Sequence, residues 1–474
     1  MKTFNGTRPT NSRWLIFGLA CLTSWINYVH RYSWGVAKPY LRDEYGLDDA
    51  QMGWLDALFN ITYAAGQFPG GLAGDLFGPR LVIPVAAVIW SLIVAAPGVF
   101  TGFSQLCAVR LGFGAAQASA YPNLGKITKS WFPLAIRTSV QGAVASFSGR
   151  AGAACAPLIV GTVLIGGLGL SWQSALWGTG LSGIVFAAVF WMLFRNSPDR
   201  HPWSNDAECR LIEADEHSDA TGSRDTNATT DATERPLETS RERRFRFDWS
   251  PGNIRNVFFF CTASFCSSFA DNLFVYWMPT FLIDEKGFGA VEMGVFASLP
   301  LWGGAVGGLC GGFINDILIR VTGNRRLARS VVASCGMVMA AALICVSLLS
   351  ESGRVVMFVL FLCKFFSDMS QTSWWGTVTD IGGPAAGRVF GMVNTFGSLG
   401  AFAAGPLMGY VKRDFGWAAL FWFVGGMYIL TAFWWALVNC TRKLVVERSN
   451  DSQGIDDSQT VGGQSSPPNH ESGT

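Results

Sequence analysis

An all-α integral membrane protein, with twelve transmembrane helices in two pseudo-symmetric six-helix halves, is the fold class that this 474-residue sequence predicts. Three observations carry it: an apolar composition, apolar runs of membrane-spanning length, and a repeat that relates one half of the chain to the other. Half of the residues are hydrophobic, only 14% are charged, and glycine reaches 55. That balance argues against a water-soluble fold. A closed barrel, the other structure able to span a bilayer, would show short alternating segments instead of long runs.

A spanning helix needs about 20 mostly apolar residues. Twelve such runs occur, at approximately 14–37, 52–72, 81–100, 105–125, 138–164, 173–194, 254–282, 293–315, 330–349, 355–378, 389–411 and 416–438. The first is too long for a secretory signal and has no small-residue cleavage site, so it reads as a span. Residues 196–252 form the one long hydrophilic interruption and divide the spans six and six. Its stretch "DATGSRDTNATTDATERPLETSRERR" is too polar to bury a core. The predicted organisation is a cytoplasmic N-terminus (1–13), a first half (14–195), a largely disordered middle loop (196–252), a second half (253–440) and a disordered tail (441–474).

Orientation follows from Lys and Arg. The N-terminus, the loops after even-numbered spans, the middle segment and the tail hold 25, against 6 in the opposite loops. The positive-inside rule then places both termini in the cytoplasm, as an even number of spans requires, of a multi-pass protein in the plasma (inner) membrane. Ten of the 25 lie from Arg195 to Arg255, and removing them leaves the bias intact. All but two of the eleven cysteines fall in or next to spans, with no CxxC pair or metal-like Cys/His grouping. Buried apolar packing accounts for them, and no metal or cofactor is expected.

The halves share a plan. "EYGLDDAQMG" (44–53) and "EKGFGAVEMG" (285–294) agree at Glu, Gly, Met and Gly at an offset of 241, which also carries Gly70, Gly71 and Asp75 onto Gly311, Gly312 and Asp316. The same offset carries His30 onto Asp271. Further along, aligning Arg137 with Arg388 gives an offset of 251, which carries Gln117 onto Asp368.

Between spans 2 and 3 the chain reads "GGLAGDLFGPRL", with Gly71, Asp75, Gly78 and Arg80 at the spacing Gly-x3-Asp-x2-Gly-x-Arg. The small residues let two helices approach, and Asp75 is placed to meet Arg80 or a helix N-terminus. The second copy, Gly312 to Asp316 and then Arg320, is looser and contains an insertion. This pattern resembles the cytoplasmic loop signature of the major facilitator superfamily. "INYVHRYSWGVAKP", "RLGFGAAQASAYPNLGKITKSWFPLAIRTSVQG", "NSPDRHPWSNDAECRLI" and "VYWMPTFLIDEKGFG" together resemble its anion:cation symporters, the carriers of hexuronate, galactonate, glucarate and related acids. The resemblance implies the major facilitator fold and alternating-access transport of a small organic anion. It also shows two departures. Where that family commonly has Asp-Arg in span 1 and Glu in span 4, this chain has His30-Arg31 and Gln117, so the anion-binding Arg is kept and the usual proton-carrying carboxylates are absent.

A charge at mid-bilayer costs roughly 2.5–3.5 kcal/mol on insertion scales, so each one needs a partner, a wet cavity or a function. Arg31 lies near the centre of span 1, and its fixed fork of donors suits a carboxylate. His30, the only histidine in a span, titrates in the working pH range, but beside Arg31 a neutral imidazole bonding a hydroxyl or a carbonyl is equally open. Gln117 cannot carry a proton yet can bond a polyol. Arg110 is two turns earlier on the same face, with cavity lining and interfacial anchoring both open. Tyr121 continues that face, with aromatic packing as the alternative. Asp368 has Lys364 one turn away, so an i, i+4 ion pair and a coupling role are compatible. Asp271 has the same ambiguity, with Arg150 of span 5 as its counter-charge or as a further substrate contact. Trp374, Trp375, Trp277 and Tyr276 are candidates for cavity walls or for packing.

The substrate-binding set is therefore Arg31, His30, Gln117, Tyr121, Arg110, Arg150, Trp374 and Trp375, and the coupling candidates are Asp368, Asp271 and His30. Expected partners are a sugar acid or other small organic anion, a proton or sodium ion, and the lipid bilayer, with no nucleic acid and a monomeric working unit. Exchange or facilitated diffusion without a proton, and substrate sensing without transport, are the competing functions. No HExxH, Gly-x-Ser-x-Gly or phosphate-binding glycine loop supports an enzyme.

Overall fold

The computed structural model describes residues 8–212, 245–383 and 386–447. The predicted middle-loop residues 213–244, and the tail beyond 447, lie outside this range. Span 1 is one helix, Ser12–Tyr45, followed by span 2, Asp49–Phe77, and span 3, Pro79–Ala95 with a last tight turn Ala96–Gly98. Span 4 comes in two pieces, Phe103–Gln117 and Ala120–Trp131. Span 5 alternates α and π turns over Leu134–Gly142, Ala143–Ser148, Gly149–Ala156 and Pro157–Gly167. Span 6 is Trp172–Leu193.

The second half repeats the order. Span 7 runs Pro251–Asn272, widens into π turns at Leu273–Trp277 and ends with Met278–Asp284. Spans 8, 9 and 10 are Ala290–Thr322, Arg325–Val346 and Gly353–Gly382. Spans 11 and 12 share Ala386–Leu437 and separate at Gly416, whose φ of 81° breaks the helix.

Among the described residues, eight helical stretches are long and apolar enough to cross a membrane by length and composition, and Ala386–Leu437 is one of them. The others in the twelve are spans 1, 2 and 4, whose sequence explains their absence from that set. Span 1 holds His30, Arg31, Lys38 and Arg42, span 2 holds Asp56, Asn60 and Gln67, and span 4 is broken after Gln117. These three are the first half's most polar helices, because they line or brace the interior described below.

The repeat is visible in backbone geometry. Gly46 and Gly287, 241 residues apart, end equivalent helices with φ of 63° and 64°, the left-handed cap that glycine adopts without strain. The insertion in the second loop motif is helical: span 2 stops two residues after Asp75, whereas span 8 continues six residues past Asp316 to Thr322. Asp75 does not meet Arg80. Its carboxylate lies 2.6 Å from Lys126 Nζ of span 4, which also bonds the Gly71 carbonyl. Arg80 instead stacks on Trp191, 5.0 Å from the ring centre, while Gly78, at φ 78°, makes room for Asn196. Asp316 is exposed, and its buried neighbour Asn315 ties span 8 to Ser373 and Thr372 of span 10.

The halves meet tightly at the end opposite the termini. A Cβ on Gly53 would lie 2.2 Å from the Gly405 carbonyl oxygen, and one on Gly409 would lie 2.4 Å from that of Asp49. Span 5 approaches span 8 as closely, at Gly294 and Thr162. Ion pairs cross the same end: Arg42 to Asp284 at 2.6 Å, and Lys412 to Asp49 at 2.6 Å and to Asp284 at 3.3 Å. Toward the termini, by contrast, the Leu134–Gly142 and Ala143–Ser148 pieces of span 5 pack against spans 1 and 4 of their own half. The bundle is therefore closed at the far end and parted at the end that carries the termini.

Two ordered pieces of the hydrophilic interruption brace that parted end. Buried Glu208 accepts hydrogen bonds from the Ser12 and Arg13 amides at 3.0 and 2.9 Å and from the Thr10 hydroxyl, capping the start of span 1. Burial pushes its carboxyl up, but the bonds from Thr10, Arg13 and Ser12 outweigh that and hold it below the usual carboxylate range. The second piece, Phe245–Phe247, pairs antiparallel with Val445–Glu447, a two-stranded exception to the all-α plan.

Candidate functional site

A cavity of ≈ 250 Å³ lies between the halves at mid-depth. Its polar lining comes from Arg31, Arg150, Lys364, Asp271, Asp368, Asn60, Ser268 and Asn272, with Tyr28, Tyr32 and Tyr276 as aromatic walls. Backbone irregularity clusters around it. Arg150 follows the π turns of span 5, Asp271 precedes those of span 7, and the break in span 4 follows Gln117. Such departures from α geometry are tolerated within a membrane where they line a protected cavity.

Arg31 is the pivot. Its Nε donates to Gln117 Oε1 at 3.2 Å and its Nη2 to Asn27 Oδ1 at 3.4 Å. The guanidinium carbon lies 4.2 Å from the Tyr63 ring centre and 5.0 Å from those of Tyr28 and Phe59. Gln117 is itself fixed by donating to the Asn27 carbonyl at 2.9 Å. Amides and rings hold the guanidinium in place without neutralising it. Among the described residues, no carboxylate stands within ion-pairing distance of Arg31.

Across the cavity the charges are paired. Lys364 Nζ lies 2.7 Å from Asp271 and 2.8 Å from Asp368, and Arg150 Nη1 bonds the other oxygen of Asp368. Arg150 belongs to the first half and Asp368 to the second, so this contact bridges the halves. The i, i+4 pair expected from sequence is present, but Arg150 is the counter-charge of Asp368 and not of Asp271.

Other predicted residues lie elsewhere. His30 turns away from the cavity and packs in the first half, its ring against Gly183 and its Nε2 3.4 Å from Ser182 Oγ. The cause is helical geometry: consecutive residues point about 100° apart, so Arg31 and His30 cannot share a direction. Arg110 is buried behind the wall, donating to the Leu55 carbonyl at 3.0 Å with Trp34 4.4 Å below it. Tyr121 bonds Ser24 at 2.8 Å. Trp374 packs on Phe260 and Phe390, and Trp375, partly exposed, stacks on Phe390 and meets Trp374 edge to face. Both tryptophans lie about 10 Å along span 10 from Asp368.

Sequence reading missed Asn60, Tyr28, Tyr32, Ser268 and Asn272, although the repeat held a signal for two of the lining pairs. The offset of 241 carries Arg31 onto Asn272 and Asn60 onto Leu301. It also missed a buried ion pair between the cavity and the closed end. Lys38 Nζ lies 2.6 Å from Asp56, which accepts from Trp34 Nε1 at 2.7 Å, and the ammonium sits 3.4 Å over the Trp277 ring of the second half. Removing one member of a buried pair strands the other charge and costs about 3–5 kcal/mol. Asp56→Leu should therefore lower the midpoint of thermal unfolding in detergent well below wild type, and Lys38→Met added to it should recover most of the loss.

A twelve-span bundle in two like halves, sealed at one end and parted at the other around a charged central cavity, has the architecture of a membrane carrier. The model of the Major Facilitator Superfamily matches residues 20–405. The chain belongs to that superfamily, and it is a transporter and not an enzyme. It is 28% identical over 400 residues to a probable sulfoacetate transporter of Cupriavidus necator, covering 84% of this chain and 87% of that one. It is 27% identical to a probable galactarate/D-glucarate transporter of Bacillus subtilis (86% and 88% covered) and 26% identical to a hexuronate transporter of the same species (89% and 92%). Among solved structures, a bacterial homolog of the human lysosomal transporter Spinster, inward-facing and occupied, superposes with a TM-score of 0.69 at 15% identity, covering 90% and 96% of the two chains.

Proposed function

We propose that this protein carries small organic anions of the sugar-acid class across the plasma membrane by alternating access, coupled to protons. The observation that carries the reading is Arg31: a desolvated guanidinium at the cavity wall whose side-chain partners, Gln117 and Asn27, are neutral amides. An entering carboxylate completes it. Asn60, Ser268, Asn272 and the tyrosines offer donors and acceptors to hydroxyls. The relatives named for hexuronate and for galactarate/D-glucarate support the substrate class.

Coupling is assigned to Asp368. Its ion pair with Arg150 joins the halves in this conformation, and proton uptake requires that rocking of the halves part Asp368 from Arg150 and also from Lys364, 2.8 Å away on its own helix. The working orientation puts the parted end and both termini in the cytoplasm. Purified protein in liposomes should accumulate a labelled sugar acid when an inward proton gradient is imposed. Exchange that ignores the gradient would replace symport with antiport. An added cysteine at exposed Asp199 should react with a membrane-impermeant maleimide in inverted vesicles and not in intact cells, and the reverse pattern would invert the topology.

A further inference from the structure

The charge count of the cavity points beyond the class of substrate to its valence. Three cations line it, Arg31, Arg150 and Lys364, together with two carboxylates, Asp271 and Asp368. The carboxylates are both committed. Asp368 bridges Lys364 and Arg150, and Asp271 holds Lys364 from the other side. Of these three, Arg31 alone is left without a carboxylate among the described residues, so the lining of the empty cavity carries one uncompensated positive charge, while Arg110, likewise without a carboxylate there, is buried behind the wall.

We infer that this cavity selects polyhydroxylated monoanions and discriminates against dianions, with Asp368 and Asp271 as the residues that set the valence. The inference rests on the central cavity being the binding site, as proposed above. A monoanion on Arg31 brings the site to neutrality, and its uncharged end meets Asn60, Asn272, Ser268 and the tyrosine hydroxyls. In the conformation described, where Asp368 keeps both of its ion pairs, a second carboxylate on the same substrate finds its cations already taken by Asp368 and Asp271. It leaves the desolvated site with one excess negative charge, and like-charge juxtaposition in such a setting is strongly unfavourable. The built-in carboxylates thus stand where the far carboxylate of a dianion would have to bind. By this argument the chain differs in substrate from its relatives named for sulfoacetate and for galactarate/D-glucarate.

The test uses ligand pairs in which one hydroxymethyl group becomes a carboxylate: D-gluconate with D-glucarate, and 2-hydroxyethanesulfonate with sulfoacetate. Equilibrium binding to the purified full-length protein is measured for each at one neutral pH. Wild type should favour the monoanion of a pair by at least about tenfold, the scale of an uncompensated like charge. Asp368→Asn frees Arg150, and Asp271→Asn partly frees Lys364. In each the ratio should fall at least about tenfold, towards or past the dianion. A merely structural loss would weaken both members of a pair alike and leave the ratio unmoved, which overturns the valence assignment, as does a wild type that prefers either dianion. Monoanion preference in the sulfonate pair with no binding of gluconate or glucarate would keep the valence rule and remove the sugar-acid reading. Binding of neither pair to folded wild type would overturn both.

Discussion

Arg31→Gln should leave the protein inserted and folded and unable to hold its anion. A hydrogen bond to a charged group contributes about 1.5–3 kcal/mol, so losing one such contact weakens affinity roughly 10- to 100-fold, and losing both arms of a fork weakens it further. The fold should survive because Arg31 anchors no carboxylate whose charge would be stranded; Gln117 and Asn27 lose only a neutral contact. Arg31→Lys should rescue poorly, since an ammonium can neither reproduce the fork nor stack on Tyr63 and Phe59 in the same way. Binding by calorimetry on the purified variants decides the matter. Wild-type affinity in the Gln variant would remove Arg31 from the site.

The second large effect concerns coupling. Asp368→Asn should abolish accumulation of substrate driven by an inward proton gradient while preserving exchange of labelled for unlabelled substrate, because exchange needs no net proton movement. Lys364 at 2.8 Å and Arg150 from the opposite half both pair with Asp368 when the halves are arranged as here, so the proposed proton uptake belongs to a conformation in which both contacts have opened. Normal gradient-driven accumulation by the Asn variant would make Asp368 structural. Asp271, also on the cavity wall, would then be next to test, ahead of His30, which faces span 6.

Part of this site is legible in the sequence and part is not, for physical reasons. Span positions follow from hydropathy because bilayer thickness fixes helix length, and intramembrane charges stand out because each is costly. Arg31, Arg150, Lys364, Asp271 and Asp368 were all identifiable that way, and all line the cavity. Rotation about a helix axis is harder to read when polar residues are adjacent, which is why His30 and Arg31 looked equivalent and face different neighbours. Lys38 escaped notice because it falls one residue beyond the apolar run and pairs with Asp56, which lies only one turn into span 2. Neutral lining residues such as Asn60 and Ser268 carry no energetic signature strong enough to separate them from polar residues that bond their own helix.

The seam at which Gly53 meets Gly405 bears on leakage. A carrier has to move its load without ever becoming a conduit for ions. A barrier built of side chains opens whenever a rotamer flips, on a timescale of about picoseconds to nanoseconds. Here the contact is main chain against main chain, so close that a single Cβ would lie 2.2 Å from the opposing carbonyl oxygen. It parts only when whole helices move, on roughly the microsecond to millisecond scale of collective motions. Escape of ions through this end is thereby tied to the turnover clock, and each opening of the seam is a step of the cycle.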